Sequence, residues 1–260
     1  YYVAKPSVKS HRKIFLLFDR LTSYKEVLFD AFKKDLKRLG TVEIFFHNFN
    51  IKTFEALIHD SIGQYTDYVI MPIPTKSVAG AINQVPKDKL YILDRGRRQY
   101  GQLYPSVCQS FKKDIYNALQ SGLDLLAKYD KLIMLIPENS HAPMELQRGF
   151  KKFCGDNSIP FAITKRHAAA RIEHGKAYLV LDDNTLVSLV QEAQEKQLQL
   201  GKDVGIISYN DTPLKSIAAN GITTISTDFR QMGKTLADLI IHKKKDHIEN
   251  PCFLIRRNSL

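Results

Sequence analysis

Five short polar sets stand directly behind apolar runs of this 260-residue chain. Asp19-Arg20 follows Ile14 to Phe18, with Tyr24 just beyond, and Asp94-Arg95 follows Leu90 to Leu93. Asp182-Asp183-Asn184 follows Tyr178 to Leu181, and Ser208-Tyr209-Asn210-Asp211-Thr212 follows Val204 to Ile207. Thr227-Asp228-Phe229 follows Ile222 to Ser226. Carboxylates, amides and guanidinium groups each engage two neighbouring hydroxyls at once, and an aromatic ring covers an apolar sugar face. The chemistry these sets support is non-covalent recognition of a small polar molecule. Any one Asp or Asn in such a place is explained as a helix cap. Five coincident cases favour a binding edge.

Catalytic patterns are weaker. No HxxxH or HExxH pair occurs, so a metal site lacks its usual spacing. No GxSxG elbow, GxxxxGK[ST] loop or GxGxxG turn occurs either. The nearest approach, Arg95 to Gly101, is read as failing because its glycines are not expected to precede a helix. Adjacent carboxylates at Asp182-Asp183 point in different directions on one turn, which suits a cap and a binding role better than acid–base work. Cys108, Cys154 and Cys252 are isolated, with no disulfide framework and no CxxC site. The expectation is a binding protein, not an enzyme, with no cofactor and no metal.

The elements that must position these residues alternate along the chain. Ile14 to Phe18 is too short for a buried helix and reads as a strand covered on both faces. Tyr24 to Leu39 has Val27, Leu28, Ala31, Phe32, Leu36 and Leu39 at helical spacing, with Gly40 as its stop. The alternation continues to the end. Phe111 to Tyr129 reads as one long helix, and Pro143 to Cys154 as another with proline near its start. Strands alternating with helices at this spacing predict an α/β fold of mostly parallel sheets flanked by helices. Similar numbers of units on either side of Phe111 predict two lobes. In such sheets ligands lie beyond the carboxyl ends of the strands, where the five polar sets fall.

Hydrophobic residues make up 44% and charged residues 25%, a balance that excludes disorder. No apolar run approaches a membrane span, and no charged-then-apolar signal pattern opens the chain, so a cytoplasmic location without membrane contact is expected. The formal charge of +11 is compatible with a polyanionic partner, but Arg95 to Arg98 and Lys243 to Lys245 are short runs that read as solvated surface.

Val204 to Leu214, followed by Gly221 to Gly233, resembles the LacI-type sensor domain, as do Phe253 to Leu260, Arg148-Gly149-Phe150 and Leu93-Asp94-Arg95. Tyr1-Tyr2-Val3-Ala4 resembles the end of a winged-helix wing of the GntR type. The resemblance implies a two-lobed periplasmic-binding-protein-like (type I) fold with three crossings. Residues 1–12 would be the wing's end and linker, 13–107 plus 229–250 the first lobe, and 108–228 plus 251–260 the second, with the pocket between them. Positions matched for ligand contact are Asp19, Arg20, Tyr24, Asp94, Gln109, Arg148, Asp183, Asn210 and Asp228, with Phe229 as the ring beneath the sugar.

The implied function is the effector-sensing domain of a bacterial transcriptional regulator. It would close on a small sugar such as fucose or arabinose and relay closure to an upstream winged helix that reads DNA. A homodimer is implied as well. The chain departs from the family where Asn210-Asp211 replaces two aspartates and where Gln109-Ser110 replaces a carboxylate, so the hydroxyl pattern of its ligand differs. A periplasmic sugar-binding protein of a transporter shares the fold and is the alternative.

Overall fold

The computed structural model describes residues 11–100, 103–137, 141–165 and 171–260; Tyr1 to Ala4, expected to end a wing, lie outside them. The first stretch runs β1 (Arg12–Phe18), α1 (Ser23–Leu36), β2 (Gly40–Phe46), α2 (Ile51–Ser61), β3 (Asp67–Ile70), α3 (Ala79–Ile82), β4 (Leu90–Asp94), α4 (Arg97–Tyr100) and β5 (Ser106–Cys108). The second runs α5 (Phe111–Ser121), α6 (Leu123–Leu126), β6 (Lys131–Ile136), α7 (Met144–Asp156), β7 (Phe161–Lys165), β8 (Lys176–Val180), α8 (Asp183–Glu195), β9 (Gly205–Tyr209), α9 (Pro213–Ile217) and β10 (Thr223–Thr227). The last runs α10 (Phe229–Ile241), β11 (His247–Glu249) and β12 (Cys252–Ile255).

These elements fall into two compact units. One holds the residues up to Gln109 together with Phe229–Asn250, and the other holds Ser110–Asp228 with Pro251–Leu260. The first unit's six-stranded sheet has the order β11-β5-β4-β3-β1-β2, every pair parallel. The second's has the order β12-β10-β9-β8-β6-β7, parallel except for β12 against β10. Each is the mostly parallel, helix-flanked sheet predicted from the alternation of apolar runs.

Burial on both faces accounts for the unbroken apolar strands. On β1, Ile14, Leu16 and Phe18 join Leu28, Phe32, Leu236 and Ile240 on one face. Phe15 and Leu17 join Phe54, Ile58 and Tyr68 on the other. The second unit divides in the same way: Leu132 and Met134 meet Phe150 and Phe153, whereas Leu135 meets Leu186 and Leu189. Helices approach closely where glycine permits. A Cβ on Gly233 of α10 would sit 2.2 Å from the Leu28 carbonyl oxygen of α1, and one on Gly149 of α7 would sit 2.3 Å from that of Lys112 in α5.

Two expectations are corrected. Phe111 to Tyr129 is two helices, broken at Gly122, where a Cβ would come 2.5 Å from a Leu254 methyl of β12. The break lets β12 lie against that turn. Gly96, at φ +96°, does lead into a helix, the single turn of α4, and its carbonyl accepts from Tyr100 N–H at 2.8 Å.

Candidate functional site

In the first unit the carboxyl edge gathers charged and aromatic side chains. Asp19, directly after β1, is buried; it forms an ion pair with Lys25 of α1 and lies 3.8 Å from the Arg95 guanidinium. Burial alone raises its carboxyl, but Lys25 and Arg95 outweigh that and hold it below the ordinary carboxylate value. Asp94 closes β4 with a left-handed backbone (φ 67°), is buried, accepts from the Gln109 amide and lies 3.5 Å from Arg95 Nε. An aspartate in that conformation is sterically disfavoured, and strain of this kind gathers at functional sites.

Aromatic rings complete this edge. Phe49, beyond β2, has the guanidinium groups of Arg20 and Arg95 at 5.8 and 5.7 Å from its ring centre. Tyr24 stacks on Phe229 with centroids 4.6 Å apart. Burial, reinforced by the Asp94 carboxylate, pushes the Tyr24 phenol up to about 12. Asp19, Arg20, Tyr24, Asp94, Gln109 and Phe229 therefore all belong to the first unit. Its edge sets two aspartates among three cations, Arg20, Lys25 and Arg95, with Arg20 exposed.

In the second unit the residues behind β8 and β9 are tied by one lysine. Lys215 of α9 is 4% exposed; its Nζ donates to the carbonyls of Tyr209 at 3.1 Å and Asn210 at 2.7 Å, and lies 2.9 Å from Asp183 Oδ1. Asn210 is left-handed (φ 62°), and its N–H donates to Ile225 O at 2.8 Å. Asp182 Oδ1 caps α8 by accepting from Thr185 N–H at 2.9 Å. Asp211 is held bidentately by Arg257 at 2.7 and 2.8 Å. Burial raises the Asp211 carboxyl, and the Arg257 and Thr224 hydrogen bonds outweigh it, leaving it below the ordinary value.

Among the described residues, three buried polar atoms at this edge find no hydrogen-bond partner: Ser208 Oγ, Asn210 Oδ1 and Asp182 Oδ2. Ser208 and Val180 are paired across the neighbouring strands β9 and β8; Asn210 follows β9 directly and Asp182 stands two residues beyond β8. Buried polar atoms are nearly always paired in native proteins, so three orphans at one strand edge make that edge the candidate site. The remaining expected residues stand apart. Arg148, on α7, is exposed and lies 4.0 Å from the Glu145 carboxylate, while Asp183 is exposed and turned to Lys215. Asp228 precedes α10 and donates its N–H to Pro251 O at 2.9 Å.

Sequence reasoning missed Lys25, Lys215 and Phe49; it placed Asp182 and Ser208 in the strand-end polar sets but not among the matched ligand contacts. The lysines had a signal: each is the third residue of a helix behind a threonine N-cap, where the helix dipole disfavours positive charge.

Other features carry less chemistry. A cavity of about 500 Å³ lies among Gln194, Leu198, Lys202, Asn220 and their neighbours, before β9 and β10 begin, at the edge opposite the orphan atoms. None of those orphans lines it, so the strand ends and not this hollow make the candidate site. Burial pushes the Cys154 and Cys252 thiols up to about 12, well away from nucleophilic character. Among the described residues no cluster of three or more His, Cys, Asp or Glu could hold a metal ion, and no helix is long and apolar enough to cross a membrane.

Two mostly parallel sheets with polar carboxyl edges define a class of binding domain, and comparison with known proteins gives the family. Residues 126–259 match the family described as periplasmic binding protein-like domain, which is more than half of the chain; the chain belongs to that family. The lactose operon repressor of Escherichia coli (strain K12) is 32% identical over 65 residues, 25% of this chain and 18% of that protein, so the match spans less than a fifth of the repressor.

The fold recurs in solved structures. A Lac repressor bound to ONPG in a repressed state superposes with a TM-score of 0.78 at 19% identity, covering 98% of this chain and 83% of that one. A putative transcription regulator from Staphylococcus saprophyticus gives 0.76 at 16% identity, covering 96% and 98%. A LacI-family putative repressor from Corynebacterium glutamicum gives 0.70 at 17%, covering 95% and 98%. The chain has the fold of these regulators.

Proposed function

We propose that this chain is the effector-sensing domain of a LacI-type bacterial transcriptional regulator, and that its effector is a small neutral sugar. The observation that carries the reading is the trio of unpartnered atoms on Ser208, Asn210 and Asp182. An unsatisfied buried polar group costs about 1–3 kcal/mol, so a ligand that pairs with them gains affinity from relieving that cost. Asn210 Oδ1 and ionised Asp182 only accept hydrogen bonds. Their partner must therefore donate, as sugar hydroxyls do and as a phosphate dianion does not.

The first unit's edge supports the same ligand class. Its carboxylates at Asp19 and Asp94 are engaged by Lys25, Arg95 and Gln109 yet remain acceptors with further lone pairs. Arg20, Tyr24, Arg148, Asp183, Asp228 and Phe229 complete the proposed contacts. Binding shifts a two-state equilibrium that an upstream GntR-type winged helix reads out on DNA, as a cytoplasmic homodimer without catalysis. The fold shared with named repressors supports the regulatory role. Fucose and arabinose are the first candidates.

Isothermal titration calorimetry of the chain against a panel of aldohexoses, deoxyhexoses, pentoses and their phosphates tests the reading. Binding of a neutral sugar, lost or weakened at least tenfold in Asn210→Ala, is the expected result. No heat from any sugar overturns it, and preference for a phosphate overturns the neutral-ligand claim.

A further inference from the structure

The two units share a device that neither chain pattern nor fold requires. In the first, Thr22 holds the N-cap position of α1 without a side-chain cap bond and Lys25 is the helix's third residue; in the second, Thr212 caps α9 through its side chain and Lys215 is its third residue. Both lysines are buried, at 2% and 4% exposure. Each folds back onto the loop it follows: Lys25 Nζ donates to the Arg20 carbonyl at 3.2 Å, and Lys215 Nζ to the Asn210 carbonyl at 2.7 Å, both across five residues. Each also engages a carboxylate, Asp19 for Lys25 and Asp183 for Lys215.

A cation in the first helical turn opposes the helix dipole, and burying an ammonium is costly unless its protons are satisfied. These lysines therefore are not there for their helices. What they hold is the stretch directly behind a strand. Lys215 is the fuller case, because all three of its protons have an acceptor in Tyr209 O, Asn210 O and Asp183 Oδ1. Those acceptors belong to the end of β9, to the left-handed Asn210 and to the start of the helix after β8. One ammonium thus spans the two neighbouring strand ends that carry the orphan atoms of Asn210 and Asp182.

We infer that Lys215 is a positioning residue of the binding edge: it fixes Asn210 in its left-handed conformation and sets the spacing between Asn210 and the Asp182-Asp183 turn. Lys25 does the same for Asp19-Arg20. The loops are pre-ordered before ligand arrives, which lowers the entropic cost of binding. The inference rests on the proposed sugar reading for its effect on affinity, though not for its effect on loop order.

The experiment pairs amide hydrogen exchange with calorimetry on the whole chain, comparing the unsubstituted protein with Lys215→Met and Lys215→Arg. The reporting amides are Asn210 N–H, bonded to Ile225 O at 2.8 Å, and Asp211 N–H, bonded to Ser226 Oγ at 2.9 Å. Lys215→Met is expected to speed their exchange about tenfold or more without ligand, leaving β6 amides unchanged. It is expected to weaken the panel's best neutral sugar about tenfold, with Lys215→Arg recovering most of both.

Unchanged exchange, or faster exchange with unchanged affinity, overturns the inference. A chain that binds no sugar at all fails the functional reading alone, and the exchange arm then decides whether Lys215 orders the loop. If Lys215→Met does not fold, Lys25→Met carries the same test, read at the Asn48 amide that bonds Asp19 O at 2.7 Å.

Discussion

The rings of Tyr24 and Phe229 lie 4.6 Å apart and 30° from parallel, joining the first turn of α1 to the first residue of α10. Phe229 is 5% exposed and belongs to the core that also holds Leu28, Phe32 and Met232. Each ring is thus a structural support as well as a proposed sugar contact. Phe229→Ala is expected to lower stability by about 3–5 kcal/mol through cavity formation. A double-mutant cycle with Tyr24→Ala should return a coupling of about 0.5–1.5 kcal/mol, the range for offset aromatic pairs. Urea unfolding measures both, and strict additivity would remove the stack as an energetic link. In ultraviolet titration the Tyr24 phenol should ionise near its raised value of about 12.

Close helix contacts yield a prediction whose sign depends on position. Alanine is a better helix former than glycine by about 1 kcal/mol. At Gly233 and Gly149 the added methyl would meet backbone carbonyls at 2.2 and 2.3 Å, which cannot move aside without shifting a helix. Both substitutions are expected to destabilise by about 1–3 kcal/mol net. Gly155, also in α7, has nothing within 4 Å of a built Cβ, and Gly155→Ala should stabilise by about 0.5–1 kcal/mol. Chemical unfolding of the three variants decides the matter; equal effects at all three would discount the contacts.

The sheets were legible because β1, β6, β8 and β9 are apolar on both faces, which compresses their signal into unbroken runs such as Ile14 to Phe18. Three-residue strands such as Ser106–Cys108 and His247–Glu249 were not, since both are too short for a pattern and are defined by pairing, Ser106–Cys108 between β4 and β11 and His247–Glu249 with it across a long stretch of chain. The helix break at Gly122 depends on Leu254, equally distant in sequence. At the site, strand-end position alone pointed to Asp19, Asp94 and Asn210, whereas Gln109 and Arg148 came only from family resemblance. Sequence favoured Asp183 over Asp182, yet Asp183 is exposed against Lys215 while Asp182 keeps a buried unpaired oxygen. The lysines escaped notice because a lysine in the first turn of a helix reads as solvated until burial is seen.

Arg257 and Asp211 tie the chain's last residues to the loop behind β9. The guanidinium holds both carboxylate oxygens, at 2.7 and 2.8 Å, and also donates to Ile222 O at 2.8 Å. Arg257→Met leaves a half-buried carboxylate without its cation and should cost about 1–3 kcal/mol, the range for charge-assisted hydrogen bonds. Adding Asp211→Asn removes the stranded charge and should restore part of that loss. Thermal unfolding distinguishes the cases: a double variant no more stable than Arg257→Met would mean the pair's electrostatics contribute little.

His47 gives the chain a defined response to pH. It is fully buried behind β2; Nδ1 accepts from Phe49 N–H at 3.1 Å, so Nε2, 3.1 Å from Met71 O, must carry the proton. Burial pulls its pKa below the ordinary 6.5, against the opposing pull of the Met71 carbonyl and Asp19 and with help from Lys25 and Arg95. A protonated ring would lose the Phe49 hydrogen bond, and with it the support of the ring beside Arg20 and Arg95. The unfolded chain binds this proton more readily than the folded one, so stability is full above 6.5 and falls as pH drops through the folded value. Asp19, with a carboxyl below 3.8, loses its contribution only at more acid pH and does not blur this window. Urea midpoints should therefore decline from about pH 7.5 to about pH 5, and His47→Gln should flatten that decline. A ring titration by NMR should place the His47 midpoint below 6.5; a midpoint above it would show the imidazole is not held neutral by its surroundings.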